Sequence, residues 1–472
     1  MRIWSGITVA GIRSRAKSMP KGNLMSLPHF SRLSLVFAAG LVAIAVPGGR
    51  AQQAAPVHAA PAVDMTPVAP ESVGFSAQRL ERLHAAIQQE VENKQIAGAV
   101  TLLARHGKIV DYRTYGVRDL ATGAPMTKDT IFRDYSMTKP LTGASMMILY
   151  EEGKWQPADP ISQYIPEFAH LKVFNGFDTT GKMLLAEPGH APLMRELMTH
   201  TAGFTYGDGD TPVDRMYQQI QPQTEHVQNL QEMIDRLAKI PLLYQPGHGW
   251  TYSMSMDIQG YILQKLSGQS LPDFMHDHIF APLGMRDAGF YVPADKRARF
   301  AAGYHEVNGK LVAEPTENGI PTDYTQQPTA PSGGGGLVAT AEDYYRFAQM
   351  MLNGGELDGV RILAPSTVKL MTSNHLPAEL LNGRFGIGRH IMRPGFGYGF
   401  NCAVVFNPAE ADLPDGKGTF FWDGAAGTWF WVDPTNDIVF VGMIQRRTSP
   451  DNHPLLYRSH ALVYQALVDP SK

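Results

Sequence analysis

Two blocks of strand-like sequence stand at opposite ends of the 472-residue chain, and this more than anything else restricts its fold. Near the start, Ile96–Ala104 and Ile109–Tyr115 flank the turn Arg105-His106-Gly107-Lys108 and read as a β-hairpin. Near the end, Tyr398–Phe406, Thr419–Trp422, Thr428–Val432 and Ile438–Gln445 alternate or run apolar, with Asp433-Pro434-Thr435-Asn436 as a turn between the last two. A helical period opens at Ser76 (Leu80, Leu83, Ile87, Val91), and a final helix is expected over about Pro454–Leu467. The stretch between the blocks predicts helices broken by many Gly and Pro: Arg195–His200, Val227–Lys239, Asp257–Ser267, Pro272–Phe280 and Ala341–Leu352. The pattern is an α/β (α+β) chain, an antiparallel sheet built from both ends and flanked by helices. Residues 71–130 and 390–472 form the sheet domain, and 131–389 a mainly helical domain inserted between them. A cleft where the two layers meet is the default place for a site.

The first fifty-one residues belong to a different class of sequence. They are basic, with no acid before Asp64. A 14-residue apolar run, Leu33–Val46, is followed by Pro47-Gly48-Gly49-Arg50-Ala51. This predicts a secretory signal over residues 1–51 cleaved near Ala51, with Met25 an alternative start. The run is short for a membrane span, so no stable insertion is expected after cleavage, and the location is periplasmic or secreted; an uncleaved anchor is the alternative. Residues 52–70 read as an Ala/Pro-rich flexible or extended linker. Without the leader's seven Lys/Arg the chain keeps 34 basic residues against 44 acidic ones, a net charge of −10. Such a balance argues against nucleic acid as a partner. The single cysteine, Cys402, allows no internal disulfide and sits in an apolar stretch, so a buried, inert thiol is expected.

Chemistry enters at Tyr135-Ser136-Met137-Thr138-Lys139-Pro140. Ser136 and Lys139 stand three apart, one helical turn, so both side chains can face the same spot. A serine hydroxyl needs a base, and a lysine desolvated beside it has its pKa lowered from ~10.4 towards neutrality. Ser-x-x-Lys also occurs at Ser14/Lys17, Ser18/Lys21 and Ser366/Lys369. The first two fall in the leader, and the third reads as the solvated start of an ordinary helix. Ser136 differs in leading into Thr142–Leu149, an apolar helix stopped by Gly153, whose start adds partial positive charge.

Further segments follow in order: Leu197-Met198-Thr199-His200-Thr201-Ala202-Gly203, Trp250-Thr251-Tyr252-Ser253-Met254, Gly333–Gly336, and Trp422-Asp423-Gly424-Ala425. With the Ser136 segment they resemble the serine β-lactamases and penicillin-binding proteins, class C-like, and within them the family VIII carboxylesterases. The resemblance spans residues 70–468 and implies a β-lactamase/transpeptidase-like fold. It implies Ser136 as nucleophile, Lys139 and Tyr252 as the basic pair, and the backbone N–H groups of Ser136 and Ala425 as oxyanion hole. Met254 stands where the family has the Asn of Tyr-x-Asn, and Trp422 where it has the Lys of Lys-Thr-Gly. Both changes replace polar recognition by apolar surface. With Asp423 and Gly424 these residues are expected to form a substrate pocket for an uncharged, short or medium acyl ester. No cofactor and no metal are implied.

Rival readings remain. A Ser-His scheme through His200 lacks a complete Gly-x-Ser-x-Gly elbow, so His200 is read as structural. Asp257 is expected to orient local backbone or to face a partner in its helix, and is not assigned to catalysis. His276-Asp277-His278 has the wrong spacing for one helix face and reads as a solvated surface. On the same fold the reaction can instead be β-lactam hydrolysis, D-alanyl peptide cleavage or acyl transfer to an alcohol. A non-catalytic binder of acyl groups or cell-wall fragments is the alternative from another class.

Overall fold

The N-terminal hairpin forms as β1 (Gly98–Arg105) and β2 (Lys108–Asp119), turning through His106 and Gly107 at positive φ, and a short edge strand comes next, β3 (Ala124–Pro125). The computed structural model describes residues 64–314, 324–381, 394–447 and 454–472. The expected signal segment, most of the linker and the domain boundary near 390 lie outside the described residues. At the other end come β4 (Phe396–Tyr398), β5 (Ala403–Val405), β6 (Thr419–Asp423), β7 (Trp429–Asp433) and β8 (Ile438–Met443). The sheet order is β4-β5-β6-β7-β8-β1-β2-β3, every neighbour antiparallel. The two ends of the chain meet at its middle, where Val100 to Arg105 pair with Met443 to Ile438.

The helices that flank this sheet or carry site residues include α1 (Ala77–Glu92), α2 (Thr138–Glu151), α3 (Ser255–Ser267), α4 (Ala341–Leu352) and α5 (Pro454–Tyr464). Strand β7 shows how two of them cover the sheet. Trp429 donates its indole N–H to Ser459 Oγ at 3.1 Å, and Trp431 stacks on His460 and Tyr464, all on α5. Phe430, between them in sequence, packs against Tyr344 of α4 at 4.8 Å. Alternate residues of a strand point to opposite faces, so α4 and α5 lie on opposite sides of the sheet. Every residue of β1, β7 and β8 is consequently buried, which is why these segments read as apolar runs. Burying Phe430 alone contributes roughly 2–3 kcal/mol. Trp429 fits because its cross-strand partner is Gly442, where a Cβ would come within 2.2 Å of the indole.

The structure adds detail to three expectations. The strand expected over 398–406 is a hairpin, β4 and β5, because the chain reverses at Gly399–Cys402 with Asn401 at φ 65°. The middle of the chain, expected to be mainly helical, also holds strands. It carries the hairpins Val173–Phe177/Met183–Ala186 and Tyr304–Val307/Lys310–Ala313, whose strands are largely exposed and so lack an apolar face. The last part of the expected linker is tied down, with Val68 N–H donating to Ile109 O at 2.8 Å. Cys402 is buried, and burial pushes its thiol up to about 12.

Candidate active site

Ser136 sits in a short 3-10 turn, Tyr135–Met137, that runs directly into α2. Its N–H belongs to the first turn, where a helix offers no internal acceptor. The preceding Tyr135 holds φ 46°, a conformation costing roughly 1–2 kcal/mol for a non-glycine residue. It is held by its surroundings: Tyr135 O accepts from Thr138 Oγ1 at 2.6 Å, and Tyr344 Oη donates to Met137 O at 2.9 Å. The short pairing of Phe132–Arg133 with Val338–Ala339 ties this approach to the end of the glycine loop.

Around Ser136 Oγ the groups converge. Lys139 Nζ lies 3.1 Å away, and Tyr252 Oη donates to it at 2.6 Å. Ser136 and Tyr252 are half-buried, so the hydroxyl is reachable, whereas Lys139 is 1% exposed. The amine also donates to Gly334 O at 2.7 Å and lies 4.4 Å from the centre of the Tyr252 ring and 5.4 Å from that of Tyr206. Burial lowers the Lys139 pKa to about 7, with Asp257 and then Asp423 pulling the other way. Burial raises that of Tyr252, against the hydrogen bond to Ser136. At neutral pH, therefore, a substantial fraction of the lysine is free amine while the tyrosine keeps its proton. At 3.1 Å the free amine can accept the Ser136 proton, and the phenol can donate.

The Trp422–Ala425 segment closes one side. Trp422 is buried, its ring 5.6 Å from that of Tyr252. Its buried indole N–H favours the phenolate of Tyr252 less than the hydrogen bond to Ser136 does. Asp423 is buried at the end of β6. A Cβ at Gly424 would fall 2.3 Å from Asp134 O, so this turn packs tightly on the backbone leading to Ser136. Thr428 Oγ1 donates to the same carbonyl at 3.2 Å. Ala425 is exposed, and its N–H makes no hydrogen bond among the described residues. Met254 lies in the core at 1% exposure, so it contributes packing beneath the site.

His200 reaches Ser253 Oγ at 2.9 Å through Nδ1 and packs 4.9 Å from the Tyr252 ring. Burial, and secondarily Lys139, holds its imidazole well below the usual range, so it is neutral. Ser366 and Lys369 are exposed on a separate helix, and His276 pairs with Asp277 on the surface. Two further contributors are Asn401 and Asp257. Asn401 Nδ2 donates to Lys139 O and to Gln259 Oε1, joining the β4–β5 turn to α2 and α3. Asp257 Oδ1 accepts from Ser332 Oγ at 2.5 Å and from Gly334 N–H at 3.0 Å. An Asn inside the apolar Phe400-Asn401-Cys402 was the available signal for the first. The second is marked in the sequence only as a group that orients local backbone or faces a partner in its helix.

A family model described as Beta-lactamase matches residues 83–465. Protein Rv1367c of Mycobacterium tuberculosis is 35% identical over 385 residues, covering 78% of this chain and 90% of that protein. Esterase EstB of Burkholderia gladioli is 31% identical over 392 residues, covering 78% of this chain and 92% of that one. Among solved structures, EstCE1, described as a hydrolase with promiscuous acyltransferase activity, is similar with a TM-score of 0.69 and 26% identity, covering 82% of this chain and 99% of that one.

Proposed function

Because this chain belongs to the beta-lactamase family and is a serine hydrolase or acyltransferase of that fold, we propose that it cleaves uncharged carboxylic esters of short or medium acyl length through an acyl-Ser136 intermediate. The observation that carries this reading is the convergence of Lys139 Nζ and Tyr252 Oη on one half-buried hydroxyl. Ser136 Oγ attacks the ester carbonyl while its proton passes to the Lys139 amine. The oxyanion is met by the N–H groups of Ser136 and Ala425. Collapse expels the alcohol, which takes a proton through Tyr252. Water then enters, gives its proton to the same pair and releases the acid, restoring Ser136. The lowered lysine and raised tyrosine support Lys139 as the immediate base and Tyr252 as the proton carrier to the leaving group.

The preference for uncharged esters is supported by two features. Trp422, 2% exposed and packed on Tyr252, stands where the family has a lysine, so no cation is present there to receive an anion. Beside the glycine loop, a cavity of about 220 Å³ bordered by Ser332 and Gly336 carries Glu225, whose carboxyl is pushed above its ordinary range by burial and which, where ionised, disfavours an anion there. Acyl transfer is the second reading, favoured by the likeness to EstCE1: an alcohol replaces water at the same acyl-enzyme. The basic leader and its apolar run support a periplasmic or secreted location.

A p-nitrophenyl ester length series with nitrocefin as control tests the reading. Ser136→Ala is expected to lose hydrolysis and fluorophosphonate labelling, whereas Ser366→Ala keeps both. Turnover retained in Ser136→Ala, or nitrocefin preferred over every ester, overturns it. Product analysis with added alcohol separates hydrolysis from transfer.

A further inference from the structure

We propose that Asp257 is a positioning residue for the Ser136–Lys139 pair: it pins the Ser332–Gly336 loop against the start of α2 and keeps negative charge facing the amine. This rests on the reading of Ser136 as nucleophile.

Asp257 is 2% exposed in the first turn of α3. Its Oδ1 takes both the Ser332 hydroxyl and the Gly334 N–H, while the carbonyl of that same Gly334 accepts Lys139 Nζ. One loop residue is thus held by the carboxylate at its nitrogen and holds the amine at its oxygen. Only glycine fits there, since a Cβ would meet Tyr206 Oη at 2.6 Å and Asp257 Oδ2 at 2.8 Å. The loop is fastened to α2 on both sides of Gly334: Thr142 Oγ1 donates to Gly333 O at 2.7 Å, and Leu337 N–H to Thr138 Oγ1 at 3.0 Å. Through these bonds α3, which comes just after Tyr252, and α2, which carries Lys139, share a single hydrogen-bonded bridge.

The charged and titratable groups facing Lys139 are Asp257 from α3, Asp423 from β6, the neutral His200, and the phenols of Tyr206 and Tyr252. Asp257 in turn faces Lys139, Tyr206, Tyr252 and Glu225; burial raises its own pKa, while the bond from Ser332, the Lys139 charge and the Gly334 N–H hold it down. An opposite charge in a buried site favours the ammonium form, so Asp257 keeps the amine basic enough to take a serine proton while burial keeps it free near neutral pH. The two roles separate by substitution. Asparagine can still accept at Oδ1, which keeps the loop bridge, but removes the charge.

The experiment compares pH profiles of kcat/KM for wild type, Asp257→Asn and Ser136→Ala on one neutral ester, with melting temperatures as a folding check. In Asp257→Asn the acid limb is expected to move down by roughly one pH unit, and plateau kcat to fall by about tenfold with KM little changed. A residue that only supports the fold lowers activity without moving the limb. A folded Asp257→Asn whose acid limb stays put or moves up overturns the inference, provided Ser136→Ala is inactive. Turnover in Ser136→Ala removes the nucleophile reading itself, and the inference with it. Should Asp257→Asn not fold, Asp257→Glu carries the test. Its charge is retained, so the limb is expected to stay in place while kcat falls, and a limb that moves down in that variant overturns the proposal.

Discussion

Lys139→Met should make the protein inactive and more stable. The amine is 1% exposed and titrates at about 7, against 10.5 for a free lysine. That difference corresponds to about 5 kcal/mol of stability withheld by the native state when the amine is fully charged. Methionine has no charge and nearly the same length. It leaves Gly334 O without its 2.7 Å donor, which costs about 1–3 kcal/mol. The net gain is about 2–4 kcal/mol, or about 2–5 °C in melting temperature for a chain of this size. The sign depends on pH. Below about 7 the lysine is charged in both the folded and unfolded states, so the whole disadvantage is present. Between about 7 and 10.5 only the unfolded chain holds the proton, so wild type gains stability as pH rises. The advantage of the Met variant is therefore largest below neutrality and shrinks or reverses as pH approaches the free-lysine range. Scanning calorimetry at about pH 6 and about pH 9.5 samples both regimes. A variant that melts below wild type at the lower pH, or a gap that does not narrow at the higher one, refutes the depressed lysine.

The same titration sets the wild-type rate. Proposed as the base in its free form, Lys139 makes kcat/KM fall about tenfold per pH unit below about 7, and a profile flat into the acid range excludes it. Gly424→Ala places a Cβ 2.2 Å from Thr428 Oγ1 and 2.3 Å from Asp134 O, pushing the Ala425 turn away from Ser136. The expected loss is about 10²-fold in kcat with KM little changed, and an effect on KM alone speaks against Ala425 N–H as an oxyanion donor. Cys402, buried with its thiol pushed up to about 12, should resist iodoacetamide until the protein is denatured; mass spectrometry of the native protein reads this directly, and rapid native alkylation contradicts the packing.

How much of the molecule was legible in the sequence depends on the range of each interaction. The sheet was readable because β1, β7 and β8 carry their burial in consecutive residues. The Tyr304–Val307/Lys310–Ala313 hairpin was not, since it has no apolar face, although Asn308-Gly309 at its turn, both at positive φ, marks it. Ser136 and Lys139 are three residues apart, so helix geometry alone suggests their meeting. Tyr252 comes from 116 residues away, and only the family pattern placed it on the same hydroxyl. Asp257 was read as a backbone-orienting group. Its bonds to Ser332 and Gly334 span 75 and 77 residues, a partnership with no local periodicity to announce it.

The charge balance of the site connects the proposed mechanism to the proposed substrate. In the proposed mechanism Lys139 works as free amine, and in that state it brings no positive charge to the side of Asp257 and Asp423. Glu225 lies beyond Asp257 and lines the neighbouring cavity. A substrate carboxylate entering this field meets repulsion, and Trp422 supplies no charge to receive it. A neutral ester brings no charge until the carbonyl is attacked. The oxyanion then appears beside the first turn of α2, where backbone N–H groups already point outward, and costs no rearrangement to accommodate. On the proposed reading, negative charge is accepted where the reaction creates it and disfavoured beside Asp257 and Glu225. Replacing Trp422 by lysine would not by itself restore recognition of anions, because at 2% exposure the new ammonium would be buried between the Tyr252 and Tyr398 rings. A change of substrate class needs the facing carboxylates altered as well.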